Sequence, residues 1–172
     1  MKKGAPNVAL ASRDVAKEDL ALQLDQQLCF ALYSASLQVT KQYKPHLDAL
    51  GLTYPQYLVM LVLWAQDDLA VSDLGMRLSL DSGTLTPLLK RLESKGWLTR
   101  ARDSADERRV RVTLTPEGLA LKSQARAVPQ AMRCLMGGSD AELVALRTAL
   151  HALRQRMAMT DEAPDRPTDG AS

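Results

Sequence analysis

Residues 81–96 read DSGTLTPLLKRLESKG and run directly into residues 97–114, WLTRARDSADERRVRVTL. In the first segment Leu85, Leu88, Leu89 and Leu92 recur at helical spacing and predict one inward, apolar face over about residues 82–95. Ser82, Thr84, Thr86, Lys90 and Arg91 fall on the other side, where short hydroxyls and cations suit phosphates and base edges. Gly96 stands at the left-handed stop position. Pro87 removes one backbone donor and crowds the carbonyl of Gly83, which predicts a tight or bent start rather than a broken helix. The second segment changes period. Residues 97–102 are strand-like, a polar turn follows, and Val110, Val112 and Leu114 then alternate with Arg109, Arg111 and Thr113, which predicts a two-stranded hairpin.

Upstream, a short helix is expected at about residues 72–80, and another over about 55–66, opened by a capping box of Thr53 and Gln56. Before these, Leu24, Leu28, Ala31, Leu32 and Ala35 predict a long amphipathic helix running from about Asp19 to Tyr43, with Pro45 kinking it and Gly51 ending it. Three helices followed by a basic hairpin predict a mainly α chain with a small β-hairpin wing, the winged helix-turn-helix arrangement. Its second turn helix enters the major groove of DNA and its hairpin reaches the flanking groove. Arg100, Arg102, Arg108, Arg109 and Arg111 place five guanidiniums around that one hairpin. A solvated charged face is the competing reading of these charges, and the order of elements favours DNA.

Downstream, Thr115 and Pro116 open a helix expected to run toward Arg126 and past Pro129, until Gly137 and Gly138 break it. Ser139 and Glu142 form a second capping box. Leu143, Leu146, Leu150, Leu153 and Met157 then make a seam for another helix, from the same domain or from another chain. The first eighteen residues and the last thirteen read as mobile tails.

The whole chain has 172 residues, 46% of them hydrophobic and 24% charged, which excludes disordered and collagen-like classes. Its apolar runs are too short to span a bilayer and its first twelve residues too polar for a secretion signal, so a soluble, cytoplasmic protein is expected. The net charge is +2, yet residues 90–111 alone carry eight Lys/Arg against four Asp/Glu, an excess that suggests a polyanionic partner.

Cys29 and Cys134 are too few for a disulfide scaffold. Each has a histidine 17 positions on, His46 and His151, but neither pair has a short chelating step, so no metal site is expected. No cofactor-binding motif is present. All four tyrosines, Tyr33, Tyr43, Tyr54 and Tyr57, follow Cys29 within 29 residues. Hydroxyl donors aimed at a thiolate stabilise its charge and favour attack on a peroxide. Tyr33 lies one helical turn from Cys29 and on its face. Tyr43 shares the stripe but, at a rise of about 1.5 Å per residue, lies roughly 21 Å along the axis and cannot touch its own Cys29, so if it serves the sulfur at all a second subunit must bring it there. Against this, a cysteine on an apolar stripe is often an inert hydrophobe, and tyrosines at helical spacing are often core.

The segments LDSGTLTPLLKRLESKGWLTR and DERRVRVTLTPEG resemble the core of the MarR family of dimeric bacterial transcription regulators, over about residues 20–158. LDQQLCFALYSAS, with the tyrosines after it, resembles the branch that senses organic hydroperoxides. The resemblance implies Arg108 in the minor groove, Asp106 holding the wing tip, and a homodimer built from N- and C-terminal dimerisation helices. It also implies that Tyr43 and Tyr54 of the partner subunit donate to Cys29. Cys134 matches the two-cysteine subtype, in which the oxidised cysteine joins the second cysteine of the other subunit.

The resulting expectation is a repressor, not an enzyme, that binds a pseudo-palindromic double-stranded operator until an organic hydroperoxide oxidises Cys29. Residues 19–52 would form a dimerisation and sensor helix between the N-terminal arm (1–18) and the DNA-binding domain (53–114). Residues 115–159 would form C-terminal dimerisation helices ahead of an acidic tail (160–172). A regulator released by a small ligand and a thiol peroxidase are the alternatives. The second lacks the expected alternation of strands and helices.

Overall fold

The computed structural model describes residues 20 and 22–161, with side chains through residue 159. The described residues divide into two compact units, with the boundary between Met132 and Arg133.

In the first unit a 3₁₀ turn, Leu24–Gln26, and an extended Gln27 precede α1 (Leu28–Asp48). The expected unbroken helix from Asp19 is therefore corrected. Over so few residues apolar spacing alone does not distinguish a 3₁₀ turn followed by an extended residue from the first turn of an α-helix. Helix α1 continues through Pro45 to Asp48. It ends where Gly51 takes φ +67° and the Leu52 N–H returns to the Leu47 carbonyl at 2.9 Å.

The Thr53–Gln56 capping box opens α2 (Tyr54–Ala65), whose residues Gln56, Tyr57, Val59, Met60, Leu63 and Trp64 are buried at the centre of the unit. A two-residue strand β1 (Leu69–Ala70) leads into α3 (Val71–Leu78), and Asp81 then caps α4 (Ser82–Ser94), accepting from the Thr84 N–H and hydroxyl, each at 2.8 Å. Pro87 sits inside α4 without breaking it. Leu85, Leu89 and Leu92 are buried as expected, while Leu88 is only half-buried. Each fully buried leucine contributes about 1.5–3 kcal/mol of burial free energy, so this face fixes how α4 presents its other side.

Strands β2 (Leu98–Arg102) and β3 (Val110–Leu114) form the expected hairpin, but the sheet has three strands in the order β1-β3-β2. Leu69 pairs with Val112 and Ala70 with Arg111, which ties the wing to the start of α3. Thr115 caps α5 (Pro116–Ala125), accepting from the Gly118 N–H at 3.0 Å. The single long helix expected past Pro129 is two: α6 (Ala127–Met136) follows after Arg126. Pro129 lacks an N–H and its ring opposes the carbonyl four residues back, that of Ala125, where α5 stops.

The second unit begins within α6 at Arg133. Its guanidinium donates to Asp140 at 2.7 Å and to the carbonyls of Gly137 and Gly138 at 3.2 and 3.0 Å, clasping the turn that both left-handed glycines make. The Ser139–Glu142 box opens α7 (Asp140–Asp161). Along the seam Leu143 and Leu153 are half-buried, and Leu146, Leu150 and Met157 are exposed, so packing within the same domain does not cover it.

Candidate nucleic-acid interface and thiol site

Ser82, Thr84, Lys90 and Arg91 are exposed on α4, whereas Thr86 is half-buried toward the wing. A groove of about 410 Å³ lies between the start of α3, the middle of α4 and the wing, lined by Ser72, Thr86, Arg108 and Arg109 among others.

The five hairpin arginines do not form one free set. Arg100 turns back onto α4, donating to Glu93 through its side chain at 2.6 and 3.0 Å and its backbone N–H at 3.1 Å, and only 22% of its side chain stays exposed. Arg111 binds Asp68 at 2.7 Å and Asp103 at 3.4 Å. Both are wing anchors. Arg100 holds the Glu93 carboxyl below its usual range, and Arg111 does the same to Asp68. Each carboxylate therefore lends stability above its unfolded pKa that is lost as pH falls through the lowered folded value. Arg109 has a longer contact, 3.4 Å, with Asp73 of α3. Among the described residues no partner engages the guanidinium of Arg102 or of Arg108.

The wing tip is built from local carboxylate turns. Asp103 accepts from the Ala105 N–H at 2.9 Å and Asp106 from the Arg108 N–H at 3.1 Å, while the Arg109 N–H returns to the Asp106 carbonyl at 2.9 Å. The tip backbone is thereby ordered while the Arg108 guanidinium stays in solvent.

Both cysteines are free and exposed, Cys29 in the first turn of α1 and Cys134 in α6. Tyr33, one turn past Cys29, is 61% exposed. The other tyrosines gather elsewhere. The Tyr43 ring lies 4.7 Å from Tyr54 and 5.9 Å from Tyr57, and Tyr57 meets Trp64 edge-on at 6.3 Å. Burial raises the phenol pKa values of Tyr43 and Tyr54, with Tyr54 adding to the effect on Tyr43. Burial together with its two neighbours pushes Tyr57 up to about 12. These phenols stay protonated donors at any physiological pH, and within the described residues no hydrogen bond engages their hydroxyls. Tyr57 was not among the expected site residues. Its spacing of three from Tyr54 on one helix was the available signal.

No group of three His, Cys, Asp or Glu among the described residues is arranged to hold a metal ion, and no described helix is long and apolar enough to cross a membrane.

The model of the transcriptional regulator SarA/Rot family matches residues 41–125. The organic hydroperoxide resistance transcriptional regulator of Bacillus subtilis is 47% identical over 136 residues, covering 79% of this chain and 92% of that protein. This chain belongs to the MarR family of winged-helix transcription regulators. Among solved MarR-type structures, reduced AbfR bound to DNA, a protein of Staphylococcus epidermidis, is 35% identical with a TM-score of 0.66, covering 81% of this chain and 96% of AbfR. Disulfide-formed AbfR is 34% identical with a TM-score of 0.55, covering 88% of this chain and 99% of that one. The relatives of this MarR-type chain are transcription regulators rather than enzymes.

Proposed function

We propose that the chain is a cytoplasmic, homodimeric repressor that holds a pseudo-palindromic DNA operator while Cys29 is reduced and releases it when an organic hydroperoxide oxidises that thiol. One observation carries the redox half of this reading. Cys29 is exposed near one end of α1, and the unengaged hydroxyls of Tyr43 and Tyr54 lie far from it in the same chain. A two-fold partner with α1 reversed would bring Tyr43 and Tyr54 of one subunit to Cys29 of the other, with Tyr33 supplied in cis. The exposed seam of α7, beside a groove of about 690 Å³ lined by Leu143, Leu146 and Leu150, supports a second copy as its cover. In that reading residues 19–52 and 115–159 make the dimer and residues 53–114 read DNA.

On DNA, α4 would lie in the major groove with Ser82, Thr84, Thr86, Lys90 and Arg91 toward phosphates and base edges. Arg108, its tip held by Asp106, would enter the minor groove, and Arg109 would contact phosphate. Arg108→Ala is expected to weaken operator binding by about tenfold or more without lowering the melting temperature, because its guanidinium is solvated in the free protein. Unchanged affinity at moderate salt would remove the wing from the interface.

The chemistry balances without a cofactor. The Cys29 thiolate attacks the peroxide, an S–O bond forms as the O–O bond breaks, and the alkoxide leaves as the alcohol after taking a proton. The Cys134 thiol of the partner then displaces the sulfenic oxygen, which leaves as water when the S–S bond forms. The two bridges per dimer move the helices that carry them and so alter the spacing of two reading heads set one DNA turn apart. The disulfide form of the AbfR relative supports this last step. Non-reducing electrophoresis tests it. The oxidised wild type is expected to run as a covalent dimer that a thiol reductant reverses, and either Cys29→Ala or Cys134→Ala is expected to abolish that band. A monomeric band from the oxidised wild type would contradict the intersubunit bridge.

A second reading rests on a cavity of about 420 Å³ lined by Tyr57, Leu61, Trp64, Lys122, Arg126 and Pro129, which suits a small apolar acid. Release by such a ligand would survive loss of Cys29.

A further inference from the structure

We propose that Lys95 and Trp97 form the joint through which α1 passes a change at its Cys29 end to the reading helix α4, making Lys95 a positioning residue for release rather than a DNA contact. This inference rests on the redox reading above.

Helices α1 and α4 end alike. Each closes on a left-handed glycine, Gly51 at φ +67° and Gly96 at φ +72°. Each sends the next N–H back five residues, Leu52 to the Leu47 carbonyl at 2.9 Å and Trp97 to the Leu92 carbonyl at 3.2 Å. These two ends meet. The Lys95 ammonium donates to the Gly51 carbonyl and lies 4.8 Å from the centre of the Trp97 ring. A Cβ placed on Gly51 would sit 3.5 Å from Cη2 of that ring and 3.7 Å from the ammonium, so the end of α1 rests directly on both side chains. Among the described residues this is the one hydrogen bond joining the end of α1 to the end of α4.

The remainder of α1 makes it a lever. Leu28, Phe30, Tyr33 and Leu37 in its first half are exposed, while Leu47, and Leu52 just beyond its end, are buried. A helix of 21 residues spans roughly 31 Å, so a small displacement at Cys29 arrives at Gly51 as a rotation. Trp97 gives that rotation something to act on. Its carbonyl accepts the Thr115 N–H at 3.1 Å, and the Thr115 hydroxyl donates to the Gly96 carbonyl at 2.6 Å, so the turn ending α4 is fastened to the base of the wing. The ammonium bridges the moving helix end and this fastened turn. Lys95 is exposed, and nothing in the core depends on its charge.

The test compares wild type, Lys95→Met and Lys95→Arg. Affinity for one operator duplex is measured by fluorescence anisotropy for reduced protein and for protein treated with one equivalent of cumene hydroperoxide, alongside melting temperature and salt dependence. Lys95→Met keeps the aliphatic stem and loses the donor. It is expected to bind DNA in the reduced state within about threefold of wild type, to melt at the same temperature, and to lose at least about fivefold of the ratio between oxidised and reduced Kd. Lys95→Arg is expected to restore most of that ratio. A Lys95→Met ratio equal to that of a responsive wild type overturns the joint alone. So does equal weakening in both states with a salt slope reduced by about one, which would make Lys95 a phosphate contact. A wild type that ignores the peroxide overturns the redox reading, and the joint falls with it.

Discussion

A chain carrying Cys29→Ala is expected to bind operator DNA with wild-type affinity and to remain bound after an organic hydroperoxide is added. Cys29 is exposed and outside the buried core of its own unit, so trimming the sulfur leaves no internal cavity and the fold should melt within a few degrees of wild type. What disappears is the S–O bond-forming step. Cys134 is also exposed, but all four tyrosines belong to α1 and α2, the helix that carries Cys29 and the one after it. Anisotropy with a labelled operator, before and after one equivalent of peroxide, measures the effect as loss of the whole response. A Cys29→Ala chain that still releases DNA would move the trigger to the cavity beside Trp64 or to Cys134.

The largest stability effect is expected at Gly118. A Cβ there would lie 1.9 Å from the carbonyl oxygen of Trp97, 2.8 Å from its carbon and 3.2 Å from its Cα, all backbone atoms. Gly118 has no room to retreat. Its N–H donates to Thr115 at 3.0 Å and its carbonyl accepts from the Trp64 indole at 2.9 Å, which ties α5 to α2. Gly118→Ala must separate α5 from the turn before the wing, at a cost of about 3 kcal/mol or more. For a domain of this size that lowers Tm by roughly 6–12 °C. Gly96→Ala is the useful contrast. Nothing lies within 4 Å of its added Cβ, so only the left-handed backbone is penalised, by about 1–2 kcal/mol. Equal melting temperatures for the two variants would mean that α5 is not pressed against Trp97.

The reading helix and wing were legible because their signals are local. Leucine spacing, Gly96, the two capping boxes and the Val110–Leu114 alternation each work within a few residues, and each appears where expected. Strand β1 was not legible. Leu69–Ala70 is two apolar residues long and is a strand only because β3 lies beside it. The split at Arg126 was readable from Pro129, whose ring opposes the Ala125 carbonyl, although the preceding helical pattern obscured it.

The arginines show the limit on the functional side. Sequence gives charge but not partner. Glu93 and Arg100 are seven apart across the Gly96 turn, a pairing that a reader of hairpin geometry can anticipate. Asp68 and Arg111 are 43 apart and meet only once the sheet has formed. The same limit applies to the tyrosines. Helical arithmetic separates Tyr43 from its own Cys29, while the packing of Tyr43 on Tyr54 and Tyr57 depends on how α1 crosses α2.

The proposed switch is tested most directly by one titration of the wild-type protein. Reduced protein first selects its operator duplex from a random pool. The Kd for that duplex is then measured under reductant, after one equivalent of organic hydroperoxide per subunit, and again after excess dithiothreitol. Reversible oxidation of Cys29 predicts tight binding, a loss of at least about a hundredfold, and full recovery, consistent with a coupling of about 3 kcal/mol between thiol state and DNA. A Kd that the single equivalent of peroxide leaves unchanged would contradict it.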